Sequence, residues 1–115
     1  VHDACKRGAT AGGGRHVIDA LAEDAKGRRF LISLKWQQVA GSAEQEVPFE
    51  AMCLAEAVTS SHGKFHKAYL VLGGDGWRLR DFFVGRQLKE LLRLGDSVAV
   101  VTLEAFIGLA NQGKL

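Results

Sequence analysis

The chain has 115 residues, 47% hydrophobic and 24% charged, with a net charge of +2 and a pI near 8.7. That is enough for one domain with a modest core, and the mixture excludes a disordered or coiled-coil segment. The basic excess is too small to argue by itself for a nucleic-acid partner.

No apolar run approaches the roughly 20 residues that span a bilayer. The start, Val1-His2-Asp3-Ala4-Cys5-Lys6-Arg7, has no apolar segment of the secretory kind and no Met, so it reads as processed, trimmed or partial. Cys5 and Cys53 stand in unlike contexts without metal-ligand spacing, which fits a reducing, cytoplasmic setting.

Residues 8–14, Gly-Ala-Thr-Ala-Gly-Gly-Gly, offer no core-forming side chain. Segment 1–14 is therefore expected to be flexible or partly trimmed, with a single domain over 15–115. From Arg15 to Asp24 local propensity is divided: Ala, Leu and Glu favour helix, whereas Arg15 to Ile18 would suit a strand. Asp24 to Arg28 reads as a turn, with Gly27 free to take positive φ. The preferred reading is a hairpin of strands 16–23 and 29–37. In the second strand Phe30, Ile32, Leu34 and Trp36 alternate with Leu31, Ser33, Lys35 and Gln37, the period of a half-buried strand. Ser33, Lys35 and Gln37 then share one face. A lysine there is costly to desolvate without an anionic partner or a solvated site.

Val39 to Ser42 is a loop, and Ser42 with Gln45 fits a capping box. Pro48 belongs in the first turn of a helix, so the helix is expected to start between Ser42 and Val47 and to run to about Thr59. Its apolar stripe is Ala51, Met52, Leu54, Ala55 and Val58. Ala68 to Leu72 is a near-continuous apolar run of the buried-strand kind, ended by Gly73-Gly74-Asp75-Gly76. A helix over Leu79–Leu94 closed by Gly95, a strand over Ser97–Leu103 and a short helix with Phe106, Ile107 and Leu109 follow. The order predicts an α/β fold, a central mixed β-sheet flanked by α-helices.

Within the hairpin, Asp19 on one strand faces Ser33, Lys35 and Gln37 on the next. Carboxylate and amide oxygens suit Mg²⁺, which takes one or two carboxylates and keeps several waters. A lysine beside it would activate a bound water or stabilise charge building on a phosphate. Together they spell metal-assisted phosphodiester hydrolysis.

Asp19, a turn, and Ile32-Ser33-Leu34-Lys35 resemble the core of the PD-(D/E)xK nuclease superfamily, the restriction-endonuclease-like fold. The longer string from Ile32 through Lys35-Trp36-Gln37-Gln38 to Glu50, with Gly73-Gly74-Asp75-Gly76-Trp77, is similar to nucleases of prokaryotes and their mobile elements. The resemblance covers roughly residues 15–105. It implies a cytoplasmic, Mg²⁺-dependent DNA endonuclease, with Mn²⁺ as a substitute, acting as a homodimer or as part of a larger nuclease. Position 33 departs from the pattern, being Ser where the family has Asp or Glu. Some members with Ser-x-Lys bring the missing carboxylate from the following helix, and Glu50 or Glu44 could supply it here. The implied catalytic set is Asp19, Lys35, Gln37 and Glu50; Asp19 with Glu50 or Glu44 would hold the metal, and Ser33 would support the site. A Holliday-junction-type resolvase, or a degenerate nuclease fold kept as a DNA-binding module, are the alternatives.

Other features read more plainly. Glu44 and Glu46 are acids of a helix N-terminus, favoured by its dipole. His62 and His66 have zinc-like spacing, but the loop around Gly63 disfavours the helix it needs. The glycine turn at 73–76 lacks the signature of a phosphate loop. Arg78, Arg80, Arg86, Lys89 and Arg93 form a solvated helix face, with contact to DNA phosphates as the alternative.

Overall fold

The structure is a computed structural model that describes residues 18–115; the glycine-rich start and the expected strand residues 16 and 17 lie outside the described residues. The elements are β1 (Ala20–Glu23), β2 (Arg29–Trp36), α1 (Ala43–Thr59), β3 (Lys67–Gly73), α2 (Arg80–Val84), α3 (Arg86–Leu91), β4 (Val98–Thr102) and α4 (Leu103–Asn111). The four strands form one sheet in the order β1-β2-β3-β4. β1 runs antiparallel to β2, while β2, β3 and β4 are mutually parallel. The expected mixed α/β sheet is therefore present.

The hairpin is closed by Asp24. Its carboxylate accepts from the backbone N–H of Lys26 and Arg28 and from Arg28 Nε, and Gly27 takes φ +81°. Desolvation pushes the Asp24 carboxyl up. The hydrogen bonds from Arg28 and Lys26 outweigh it and hold the group below the usual carboxylate range.

β3 is buried along nearly its whole length because helices cover both faces of a parallel sheet. On one face Leu31, Ala68, Leu70, Leu72 and Val98 pack under Val47, Ala51, Leu54 and Val58 of α1, with Phe83 and Leu88 from α2 and α3. On the other, Phe30, Ile32, Tyr69 and Val71 pack under Leu103, Phe106 and Leu109 of α4. The alternation read in β2 thus decides which helix each residue meets. The cover under α4 ends before the strand does: Leu34 is 44% and Trp36 60% exposed. The Trp36 ring lies over Gly73, its cross-strand partner, in the space a Cβ would need.

Several expectations are corrected. The buried stripe of α1 is Val47, Glu50, Ala51, Leu54 and Val58, and Met52 points out at 42% exposure. Ser42 occupies the N-cap position but makes no side-chain cap; the Gln37 side chain takes the first helical N–H instead, from Ala43. With its start anchored at Ala43, α1 carries Pro48 in its second turn rather than its first.

The single helix expected over 79–94 is two short ones, broken at Gly85, whose backbone is extended at ψ −165°. A Cβ at Gly85 would stand 2.8 Å from the Asp81 carbonyl oxygen. Nor does Gly95 close the helix. Arg93 takes the left-handed position at φ +53°, with Leu94 N–H donating to the Lys89 carbonyl and Arg93 N–H to that of Glu90. This is a Schellman closure; burying Leu94 in the core fixes where it falls.

The turn after β3 is set by close approach to the end of β2. Gly74 has φ +89°, and a Cβ there would run into the Gln37 carbonyl. Replacing Gly74 by Ala should cost about 1–3 kcal/mol through strain and overpacking, read as a lower midpoint in chemical denaturation. An unchanged midpoint would show that this approach is not required.

Candidate active site

The β2–α1–β3 crossover lays α1 across the face of the sheet that carries Leu31, Ser33 and Lys35. Glu46 and Glu50 stand one turn apart on the helix and meet two β2 side chains. Ser33 Oγ donates to Glu50 Oε2 at 2.7 Å, and Lys35 Nζ donates to Glu46 Oε1 at 3.0 Å. Ser33 and Glu50 are both buried, at 3% and 8% exposure. A carboxylate at that depth is tolerable only because it is hydrogen-bonded.

Asp19 directly precedes β1 rather than lying within it. Its N–H donates to the Ile32 carbonyl at 3.1 Å and its Oδ2 accepts from Leu34 N–H at 2.7 Å. These bonds fall on the two neighbours of Ser33. The acidic residue before the turn is therefore brought to the strand position where the family pattern has its second acid. Asp19 is exposed, and Oδ1 makes no hydrogen bond among the described residues.

Gln37 and Glu44 have other occupations. Gln37 Nε2 donates to the Gly76 carbonyl at 2.8 Å while its Oε1 accepts from Ala43 N–H at 3.1 Å. Both amide atoms tie the end of β2 to the glycine turn and to the start of α1, which fixes the side chain between them. Glu44 Oε1 accepts from Leu79 N–H at 2.6 Å. It joins the first turn of α1 to the segment before α2, beside a small pocket lined by Ala40, Gly41 and Arg78. Trp77 completes this region, its Nε1 donating to the Gly73 carbonyl at 2.8 Å.

The role of Glu46 was not visible as more than that of an N-terminal helix acid. The signal was its spacing from Glu50, which puts both residues on one side of the helix. Among the described residues no group of three His, Cys, Asp and Glu is close enough to hold a metal. His62 sits in a left-handed turn at φ +55°, and His66 meets the Phe30 ring edge-on at 5.6 Å. The donors near Ser33 are instead two carboxylates, Asp19 and Glu50. An all-oxygen pair of this kind fits Mg²⁺, which demands few protein ligands.

A family model described as a PD-(D/E)XK nuclease superfamily domain matches residues 8–114. No curated protein and no solved structure matches the chain.

The Ser33–Glu50 bond can be tested apart from any activity. Ser33→Ala deletes the hydroxyl that donates to Glu50 Oε2 and so removes one hydrogen bond of a buried carboxylate. Its expected cost is about 1–3 kcal/mol, measured by denaturant unfolding. A stability within about 0.5 kcal/mol of the parent, the usual size of a surface change, would show that the bond does not stabilise the fold.

Proposed function

The chain belongs to the PD-(D/E)XK nuclease superfamily, and on that basis we propose that it is a divalent-metal-dependent DNA endonuclease in which Glu50 of α1 replaces the acid missing from the strand. The observation that carries this reading is the buried Ser33–Glu50 hydrogen bond. It brings a helix carboxylate to the strand position where the family pattern has Asp or Glu.

Asp19 and Glu50 are the proposed holders of Mg²⁺, with Mn²⁺ as a substitute. When bound, such an ion supplies Lewis-acid stabilisation of the phosphate and lowers the pKa of a bound water. Ser33 orients Glu50 by donating to Oε2, which leaves the carboxylate fixed before any ligand arrives. Lys35, two residues along the same strand face, is the cation that positions the attacking water or takes up charge developing on the phosphate oxygens. Water adds at phosphorus and gives up one proton to solvent, one P–O ester bond breaks, and the leaving oxygen takes a proton from solvent. Gln37 and Glu44 serve this proposed site at one remove, by fixing α1 and the turn at 74–79 against the end of β2. Cutting both strands of a duplex calls for two such sites, from a homodimer or a larger nuclease.

The test is cleavage of supercoiled, linear and branched DNA with Mg²⁺ or Mn²⁺ by the parent chain and by Asp19→Ala, Lys35→Ala and Glu50→Ala. Loss of about 10²-fold or more in each variant, the size of a lost acid–base or metal-assisted contribution, is the expected result. Preference for branched over linear duplex would favour a resolvase. No cleavage of any substrate by the folded parent chain would overturn the enzyme reading in favour of a binding module.

A further inference from the structure

Two rungs join α1 to β2, and they differ in depth. The Glu50–Ser33 rung is closed off from water on both sides. In the Glu46–Lys35 rung the lysine side chain keeps 26% of its exposure and the glutamate 58%. A half-exposed ion pair is screened and readily exchanged for another anion, whereas the deep rung is not. Lys35 is therefore not an open cation waiting for phosphate; it already has a carboxylate partner at 3.0 Å.

We infer that Glu46 is a positioning residue, holding the Lys35 ammonium at the mouth of the site while DNA is absent and yielding it to a backbone phosphate of bound DNA. The inference rests on the nuclease reading above. It follows from two facts of placement: Glu46 is one helical turn from Glu50, and both act on side chains of the same strand face. A phosphodiester oxygen reaching Lys35 Nζ competes with Glu46 Oε1 for the same protons. The two anions then exclude each other, and by linkage each weakens the other's hold on Lys35. Glu46 thus lowers DNA affinity through Lys35, holding the lysine in place only until a phosphate takes it over.

The experiment is DNA binding by the full chain in EDTA, followed by fluorescence anisotropy of a labelled duplex, for four proteins: parent, Glu46→Gln, Lys35→Met and the double variant. Glu46 is exposed, so its substitution leaves the core intact. Glu46→Gln is expected to tighten Kd about two- to five-fold when Lys35 is present, the range of a partly exposed ion pair, and to leave it unchanged beside Lys35→Met. With Mg²⁺ the same variant should lower KM by more than it changes kcat, a split that a purely structural role would not give. Equal tightening in both backgrounds would make Glu46 a general negative charge and overturn the inference while leaving the nuclease reading standing. No change in either background would do the same. A parent chain that neither binds nor cuts DNA would overturn both.

Discussion

A carboxylate buried between a helix and a sheet is the constraint on which the rest of this molecule turns. Glu50 is 8% exposed, and a carboxylate at that depth needs hydrogen-bond partners, of which the Ser33 hydroxyl is one. Its bond from Ser33 therefore fixes more than one side chain. It agrees with the rotation that burial of Val47, Ala51, Leu54 and Val58 gives α1, a rotation that also turns Glu46 toward β2. The 2.7 Å contact also leaves no room for a bulkier side chain at position 33. An Asp or Glu at position 33 would place two buried carboxylates together, a repulsive pair without a cation between them. Serine in the strand and glutamate on the helix are thus two halves of one arrangement.

A second set of polar contacts holds the sheet end that carries the candidate site. Gln37 reaches Gly76 and Ala43, Glu44 reaches Leu79, and Trp77 reaches Gly73. Backbone bonds from Gln37 to Gly73 and from Gly76 to Gln37 run alongside them. The strings Lys35-Trp36-Gln37-Gln38 and Gly73-Gly74-Asp75-Gly76-Trp77 meet here. Their residues are chosen by close approach: glycines where a Cβ would strike backbone, an amide where a donor and an acceptor are both needed. Much of what looks like a functional signature is in this way the chemistry of holding two loops against each other.

How much could be read from the sequence follows from the range of the forces involved. The period-two pattern of β2, the apolar run of β3 and the turn at Asp24–Arg28 are local and were legible. The serine at position 33 and the two helix acids, Glu50 and Glu44, stand in the sequence, but not their partners: Glu50 meets Ser33, whereas Glu44 meets the backbone of Leu79. The break at Gly85 was not legible, because Leu79 to Leu94 keeps helical composition throughout and the interruption depends on packing Phe83 and Leu88 separately. The Schellman closure escaped for a similar reason: core burial of Leu94 put an arginine, not a glycine, in the left-handed position. Gln37 was read by the face it shares with Lys35, but its side chain bridges Ala43, six residues on, and Gly76, 39 residues on, a link that strand spacing does not reveal.

The central claim is that Glu50, coming from the helix, completes a metal site with Asp19. The most direct measurement is Mn²⁺ titration of the folded chain followed by electron paramagnetic resonance, with Asp19→Ala, Glu50→Gln and Glu44→Gln beside the parent. The account predicts binding that is lost or strongly weakened in the first two variants and kept in the third. Binding that survives Glu50→Gln, or that vanishes with Glu44→Gln alone, would contradict it.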